Sequence, residues 1–280
     1  MTFDLQSCHF QLSARGVIHF PPGSAGNLLR GALGSKFREI ECTECCPGRG
    51  GKNVRQCEQR TTCAYARIFE PATTVPGPSG LSDLPRPFVI RAAALDGRTV
   101  GPGEQFCFSL NLFSQIADDL TRAVAQWSDI VSIEQSRVSI DLAAPRNDIS
   151  HIRVVFQTPT ELKTAAGEAS KEFSVLLARA RDRVSTLRSL YGRGPLEIDF
   201  RGMAERARAV RMVCCQLRRV AVERRSSRTG QRHGIGGFVG YAEYAGPLTE
   251  FVPYLEAASW TGVGRHCTWG NGHITAEILG

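Results

Sequence analysis

No stretch of this chain approaches the ~18 consecutive apolar residues of a membrane-spanning helix, so no transmembrane helix is expected. The N-terminus, Met-Thr-Phe-Asp-Leu-Gln, lacks the basic and apolar regions of a signal peptide. Ten cysteines without a secretion signal point to a reducing cytoplasm rather than a disulfide framework. Methionine is scarce, at three residues, which leaves little flexible filler for a core. What remains, 42% hydrophobic and 22% charged over 280 residues, fits a soluble protein with room for two modest domains.

Lysine is missing where positive charge is densest. Between Arg179 and Arg232 lie fifteen arginines and no lysine, against five acids. That segment carries +10 of a chain whose net charge is +7, leaving the remainder at −3. The guanidinium fork pairs with phosphate through two donors and stacks on bases, whereas a solvated helical face usually mixes both signs and both basic residue types. The pattern therefore favours a polyanion, and RNA in particular.

Glycine gathers at the other end of the argument, in the loop 234–272. No Gly-Lys-Ser/Thr follows it, and the dinucleotide-binding spacing after a strand is missing. Two readings stay open from the pattern: tight turns in a β-rich domain, or an open loop that receives a nucleic-acid backbone beside Arg265 and His266. Its place after the arginine-rich segment favours the second, with Gly262, Gly264 and Gly270 as contact positions.

The periodicities divide the chain near Pro145. A strand or hairpin over residues 2–20 precedes a helix capped by Ser24 and running to about Ile40, with Leu28, Leu29, Ala32, Leu33 and Phe37 as its apolar stripe. Arg30, Lys36 and Arg38 fall off that stripe. Strands from Pro87 and from Phe106 follow, then a helix over 114–128, then alternation from Val131 to Leu142. The pattern restarts with a strand from His151, a helix ending at Tyr191, and a second long helix from about Met203 to Glu223 burying Val210, Val213, Cys214, Leu217 and Ala221. Arg208, Arg211, Arg218 and Arg219 would then point outward as a basic helical arm. Strands over Phe238–Tyr244 and His266–Ile278 flank a helix over Leu248–Ser259. The fold class is α+β: two tandem ferredoxin-like domains of the RNA-recognition (RRM-like) kind, 1–147 and 148–280, with a basic helical insertion, 170–228, in the second.

A cysteine-rich loop, 42–63, contains Cys42, Cys45, Cys46, Cys57 and Cys63. Cys42, Cys45, Cys57 and Cys63 could supply four thiolates to one structural zinc, against the alternative of free thiols in a surface loop. An all-thiolate site of that kind leaves no position for an activated water, which argues against a zinc nuclease.

With these pieces placed, the sequence resembles the CRISPR-associated endoribonucleases that process precursor crRNA, within the RAMP (repeat-associated mysterious protein) superfamily. The resemblance runs almost end to end. It rests on Leu29-Arg30-Gly31-Ala32-Leu33-Gly34, on Cys63-Ala64-Tyr65-Ala66-Arg67-Ile68-Phe69-Glu70, and on Pro87-Phe88-Val89-Ile90 and Leu110-Asn111-Leu112-Phe113. Phe156-Gln157-Thr158-Pro159-Thr160 opens the second domain, and Gly236-Gly237-Phe238-Val239-Gly240, Gly262-Val263-Gly264 and Gly270-Asn271-Gly272 close it.

The resemblance implies a metal-independent cut within a CRISPR repeat hairpin, by attack of a ribose 2′-OH on the adjacent phosphate. It leaves a 2′,3′-cyclic phosphate and a 5′-OH, and the mature crRNA is retained. Partners would be the repeat RNA and other CRISPR effector-complex subunits, in the cytoplasm, with no membrane and no catalytic cofactor. Many relatives place a histidine in or near the first helix; residues 24–40 here hold none. The candidate catalytic groups are therefore His19, Arg30, Arg38 and His266. RNA-binding candidates are Arg208, Arg211, Arg218, Arg219, Arg225, Arg228, Arg232, His233, Gly262, Gly264, Arg265 and Gly270. His9, His151 and His273 fall in expected strands and are read as structural. The missing helix histidine sustains an alternative, a catalytically inert RAMP subunit that binds crRNA, and the basic arm suggests a less common subtype such as type IV.

Replacing Arg208, Arg211, Arg218 and Arg219 together with alanine should weaken repeat binding and flatten its dependence on salt, by a slope of about 0.9 per lost phosphate contact. A titration from low to high salt measures this; an unchanged slope would mean these arginines face protein instead.

Overall fold

The structure is a computed structural model describing residues 1–42, 57, 59, 61–71, 84–114, 118–125, 130–143, 147–164, 166–225 and 232–279. Its first half alternates strand and helix: β1 (Thr2–Ser13), β2 (Ile18–His19), α1 (Ala25–Glu41), α2 (Ala64–Phe69), β3 (Phe88–Arg91), β4 (Thr99–Val100), β5 (Gln105–Leu112), α3 (Asp118–Ala125) and β6 (Ile130–Asp141). The second half contains β7 (His151–Thr160), α4 (Phe173–Tyr191), α5 (Phe200–Ala207), β8 (Arg211–Val220), β9 (Glu223–Arg225), β10 (Arg232–Gly234), β11 (Gly237–Ala245), α6 (Val252–Thr261) and β12 (Ile274–Ile278).

Each half builds one four-stranded antiparallel sheet. The orders are β3-β5-β1-β6 and β12-β7-β11-β8. Numbered within its own half, each sheet runs second, third, first, fourth, and a helix follows the first and third strands. That is the ferredoxin-like βαββαβ arrangement twice over, as the periodicities predict.

The helix expected from Met203 to Glu223 is not there. The chain forms only the short α5 and then crosses into β8, which pairs with β11 from Arg211↔Ala245 to Val220↔Gly237. Positions four apart satisfy a period of two as well as one of 3.6, so Val210, Cys214 and the residues around them fit either reading. The β-branched residues Val213 and Val220 and a full hydrogen-bonded ladder to β11 decide for the strand. The long helix α4 is the ordinary first crossover of the second unit, so the basic segment is a hairpin, β8–β11 extended by β9–β10, and not a helical arm. The reason for suggesting type IV disappears with the helical arm.

Smaller differences have similar causes. Ser24 makes no side-chain cap; Asp96 instead accepts a 2.8 Å hydrogen bond from the Ala25 amide at the start of α1. The strand expected from His266 begins only at Ile274, because residues 262–272 form a loop around a single 3-10 turn, Cys267–Trp269.

The layers stack as helix, sheet, helix, sheet. One face of the first sheet (Cys8, Phe10, Phe108, Leu110) packs beneath α1 and α3. Its other face (Phe3, Leu5, Val89, Phe113, Ile140) joins the core made by α4, α6 and the second sheet. Three side chains fasten this joint by capping the C-terminus of α6, where helix carbonyls lack intrahelical partners. Arg91 Nη2 donates to Ser259 O at 2.7 Å, Asn111 Nδ2 to Trp260 O at 2.9 Å, and Arg183 Nε to Thr261 O at 2.9 Å. Gly262, at φ 75°, then turns the chain into the loop.

That loop lies against α1. A Cβ built on Gly26 would stand 2.6 Å from Trp269 O and 2.9 Å from Gly270 Cα, so two backbones meet here at a distance only glycine allows. Gly26→Ala should therefore cost about 1–3 kcal/mol of stability by overpacking, read as a lower urea midpoint with an unchanged slope. Wild-type stability in that variant would show that the two domains do not meet at this point.

Candidate nucleic-acid interface

Three elements converge where Gly26 meets Gly270: the first turn of α1, the β9–β10 extension of the basic hairpin, and the loop between α6 and β12. The hairpin is anchored first. Val222 is buried with its Cγ2 against Gly23, Ile235 N donates to Val222 O at 2.8 Å, and Asn271 Nδ2 donates to Ile235 O at 2.6 Å. Strand alternation then carries Arg224, two residues beyond Val222, toward the same junction. Its Nε donates to Asn27 Oδ1 at 3.0 Å, and its guanidinium lies 4.6 Å from the centre of the Trp269 ring. Burial holds the Arg224 pKa below its usual value.

Trp269 also carries His266, stacked at 4.7 Å with the rings 6° from parallel. His266 is the one non-glycine residue among those described with a left-handed backbone, φ 64°. Its half-buried imidazole has a pKa lowered by burial first, then by Arg265, Arg224 and His233 nearby, with Glu161 pulling the other way. It is therefore predominantly neutral at pH 7, free to accept a proton. Arg265, exposed, pairs with Glu161 at 3.7 Å, and Arg265 N donates to Glu161 O at 3.2 Å.

Arg30, one turn into α1, lies beside α2 and within electrostatic reach of Arg224. Its Nε is buried without a hydrogen-bond partner, its guanidinium lies 5.8 Å from the Phe69 ring centre, and burial together with Arg86 and Arg224 lowers its pKa to about 10. It remains protonated at neutral pH. The other candidates sit elsewhere. Arg38 lies 5.7 Å from the Tyr65 ring centre, two turns further along α1. His19, exposed on β2, bonds through Nδ1 to Thr99 Oγ1 at 2.9 Å.

Arg211, Arg218 and Arg219 are exposed along β8, and Arg208 is exposed just before it. Arg232 and His233 are exposed on β10, with Arg232 3.5 Å from Glu223. Arg225 closes β9, and its side chain, like Arg228, lies outside the described residues. The structure thus brings together His266, Arg265 and His233, adds Arg224, Asn27 and Trp269, and sets Arg30 within electrostatic reach of Arg224. Sequence reasoning passed over Arg224, Asn27 and Trp269; the alternation from buried Val222 to Arg224 was the signal available. Gly262, Gly264 and Gly270 have a structural reason of their own, since each has positive φ and a Cβ on Gly264 would strike Glu161 O.

Cys42 and Cys57 are buried and Cys63 half-buried, while Cys45 lies outside the described residues. Among the described residues no three His, Cys, Asp or Glu side chains gather as a metal site, so the expected zinc gains no support. No helix among them is long and apolar enough to cross a membrane.

Two ferredoxin-like units thus meet at a cationic junction. Comparison with known proteins says what this arrangement is similar to. A family model described as the AF_1859_N N-terminal domain matches residues 3–167, and the model of the CRISPR-associated endoribonuclease Cas6 matches residues 154–274. Residues 154–274 thus carry a Cas6-family domain, and the chain is a Cas6/RAMP-type protein of precursor-crRNA processing.

Solved structures agree in fold. A Cas6 product complex superposes with TM-score 0.57 at 14% identity, covering 98% of this chain and 100% of that one. Thermus thermophilus Cas6 gives 0.56 at 12% identity, covering 99% of each chain. A Cas6-related protein from Pyrococcus furiosus gives 0.51 at 11% identity, covering 99% of this chain and 100% of that one. No curated protein matches the chain in sequence.

In a histidine-resolved NMR titration His266 should change charge below its ordinary pKa of about 6.5, and Arg265→Ala should move that transition upward. A midpoint at or above 6.5 in the wild type would contradict the environment described.

Proposed function

We propose that this chain cuts CRISPR repeat RNA without a metal ion, by in-line attack of a ribose 2′-OH on the neighbouring phosphate. The observation that carries the reading is the junction itself, where a neutral histidine stacked on Trp269 lies near Arg265 and Arg224, and Arg224 is tied to Asn27 at the start of α1. The chemistry needs an acceptor for the 2′-OH proton, a donor for the departing 5′-oxygen, and positive charge for the phosphorane.

His266 takes the proton from the 2′-OH as the new P–O2′ bond forms. The P–O5′ bond breaks, and the 5′-oxygen leaves with a proton supplied by His233 or by water. Arg30, Arg224 and Arg265 hold the extra negative charge of the phosphorane. The products are a 2′,3′-cyclic phosphate and a 5′-OH. The exposed arginines of the β8–β11 hairpin grip the repeat stem through its phosphates and shape, since the A-form major groove is too narrow for side-chain readout. That grip also retains the mature crRNA for the effector-complex subunits that use it.

Cleavage of repeat RNA should proceed in EDTA and stop when the nucleotide 5′ of the scissile phosphate is 2′-deoxy. His266→Ala should lower the single-turnover rate by about 10²–10⁴-fold with little change in binding. With His266 as base, the rate should rise with pH below about 6.5 and then level off, because the neutral form is the active one. Cleavage of the 2′-deoxy substrate would rule the mechanism out. Tight binding with no product over hours would instead mark an inert crRNA-binding subunit.

A further inference from the structure

Trp269 is a large aromatic side chain that belongs to neither apolar core, although Cys267, two residues earlier, belongs to the one built on α4, α6 and the second sheet. Its ring carries two polar groups instead. His266 stacks on it at 4.7 Å with the rings 6° from parallel, and the Arg224 guanidinium lies 4.6 Å from its centre.

The backbone around the ring is fixed on both sides. Trp269 N donates to His266 O at 2.9 Å, and Trp269 O lies against Gly26 of α1. Thr158 Oγ1 donates to Gly270 O at 2.9 Å, and Asn271 Nδ2 donates to Ile235 O at 2.6 Å. Arg224 gives its Nε to Asn27 Oδ1, which leaves Nη1 and Nη2 for a phosphate. A bulky ring held this firmly outside both cores is placed for the side chains it carries.

An aromatic face attracts a cation, but a second cation on the same ring must also approach the first. With Arg224 already present, protonation of His266 is resisted, in the same direction as its burial. Arg265 of the same loop and His233 of β10 also oppose the charged imidazole, and Glu161, just past β7, favours it. A phosphate that pairs with Arg224 shifts this balance, because it offsets a positive charge and brings a negative one beside the imidazole.

We propose that Trp269 is the positioning residue of this site, holding His266 and Arg224 on one ring so that phosphate binding at Arg224 strengthens His266 as a base. The proposal rests on the reading of His266 as the proton acceptor given above and adds an order of events to it. In the RNA-free protein the imidazole is neutral and a weak base. Pairing of the scissile phosphate with Arg224 raises its affinity for a proton. It then takes the 2′-OH proton as the P–O2′ bond forms, and the P–O5′ bond breaks with a proton delivered to the 5′-oxygen as described above. The indole acts through the two side chains and makes no bond to the reacting atoms.

The test is a histidine-resolved NMR titration of the protein alone and in complex with repeat RNA that is 2′-deoxy at the scissile nucleotide. RNA should move the His266 midpoint upward by about one pH unit, since a nearby anion favours the imidazolium. Trp269→Phe keeps a flat ring and should retain the shift and most of the single-turnover rate. Trp269→Ala should lose the shift and cut about 10–100-fold more slowly at saturating RNA, with its affinity for RNA little changed. An unmoved His266 midpoint on RNA binding, or wild-type cleavage by Trp269→Ala where His266→Ala is slow, would overturn the proposal and leave His266 as the base. Wild-type cleavage by His266→Ala would overturn that reading and the proposal with it.

Discussion

The C-terminus of α6 is the point on which the molecule's arrangement depends. A helix ends with carbonyls that lack partners, and here three consecutive ones, Ser259, Trp260 and Thr261, receive side-chain donors. Two of those donors, Arg91 and Asn111, belong to the first sheet, so satisfying one domain's helix requires the other domain's strands. The cost of leaving buried carbonyls unmade sets the docking more sharply than apolar contact alone would, since hydrophobic packing is tolerant of small shifts. From that fixed helix end the chain leaves through Gly262, and the positions of His266, Trp269 and Gly270 follow.

The junction is an example of a candidate site placed by packing. Nothing in the loop by itself suits His266 to the role of base proposed for it. Its character comes from a left-handed backbone that aims it, a tryptophan that stacks on it, and burial among arginines that keeps it neutral. The same Trp269 carries Arg224, which is tied in turn to Asn27 of α1. A change at any of these positions therefore acts on the histidine through its neighbours.

Much of the fold was readable from periodicity. The twofold βαββαβ pattern and the α1 and α4 stripes follow from where apolar side chains recur. The reading failed at 203–223, where Val210, Cys214 and Leu217 sit at spacings compatible with both periods and only pairing with β11 resolves the choice. The site was legible in part. His266, Arg30 and Arg265 stood out as histidine or arginine beside glycine or on a marked helix. Arg224 did not, being one of fifteen arginines in its segment, and its importance depends on an anchor, Val222 against Gly23, that exists only in three dimensions. The glycines were noticed for the right conformational reason, but the close approach that requires Gly26 and Gly270 is to protein.

Because Asn27 and Arg30 come from the first domain while His266 and Trp269 come from the end of the second, the junction has a place in the timetable of synthesis. A ribosome releases the first ferredoxin-like unit, helix and sheet complete, well before the residues that would act beside it. Until the segment after α6 has emerged and laid Gly270 against Gly26, the nascent chain offers RNA a basic surface without the assembled site. The junction can thus assemble only once residues 262–272 have been made.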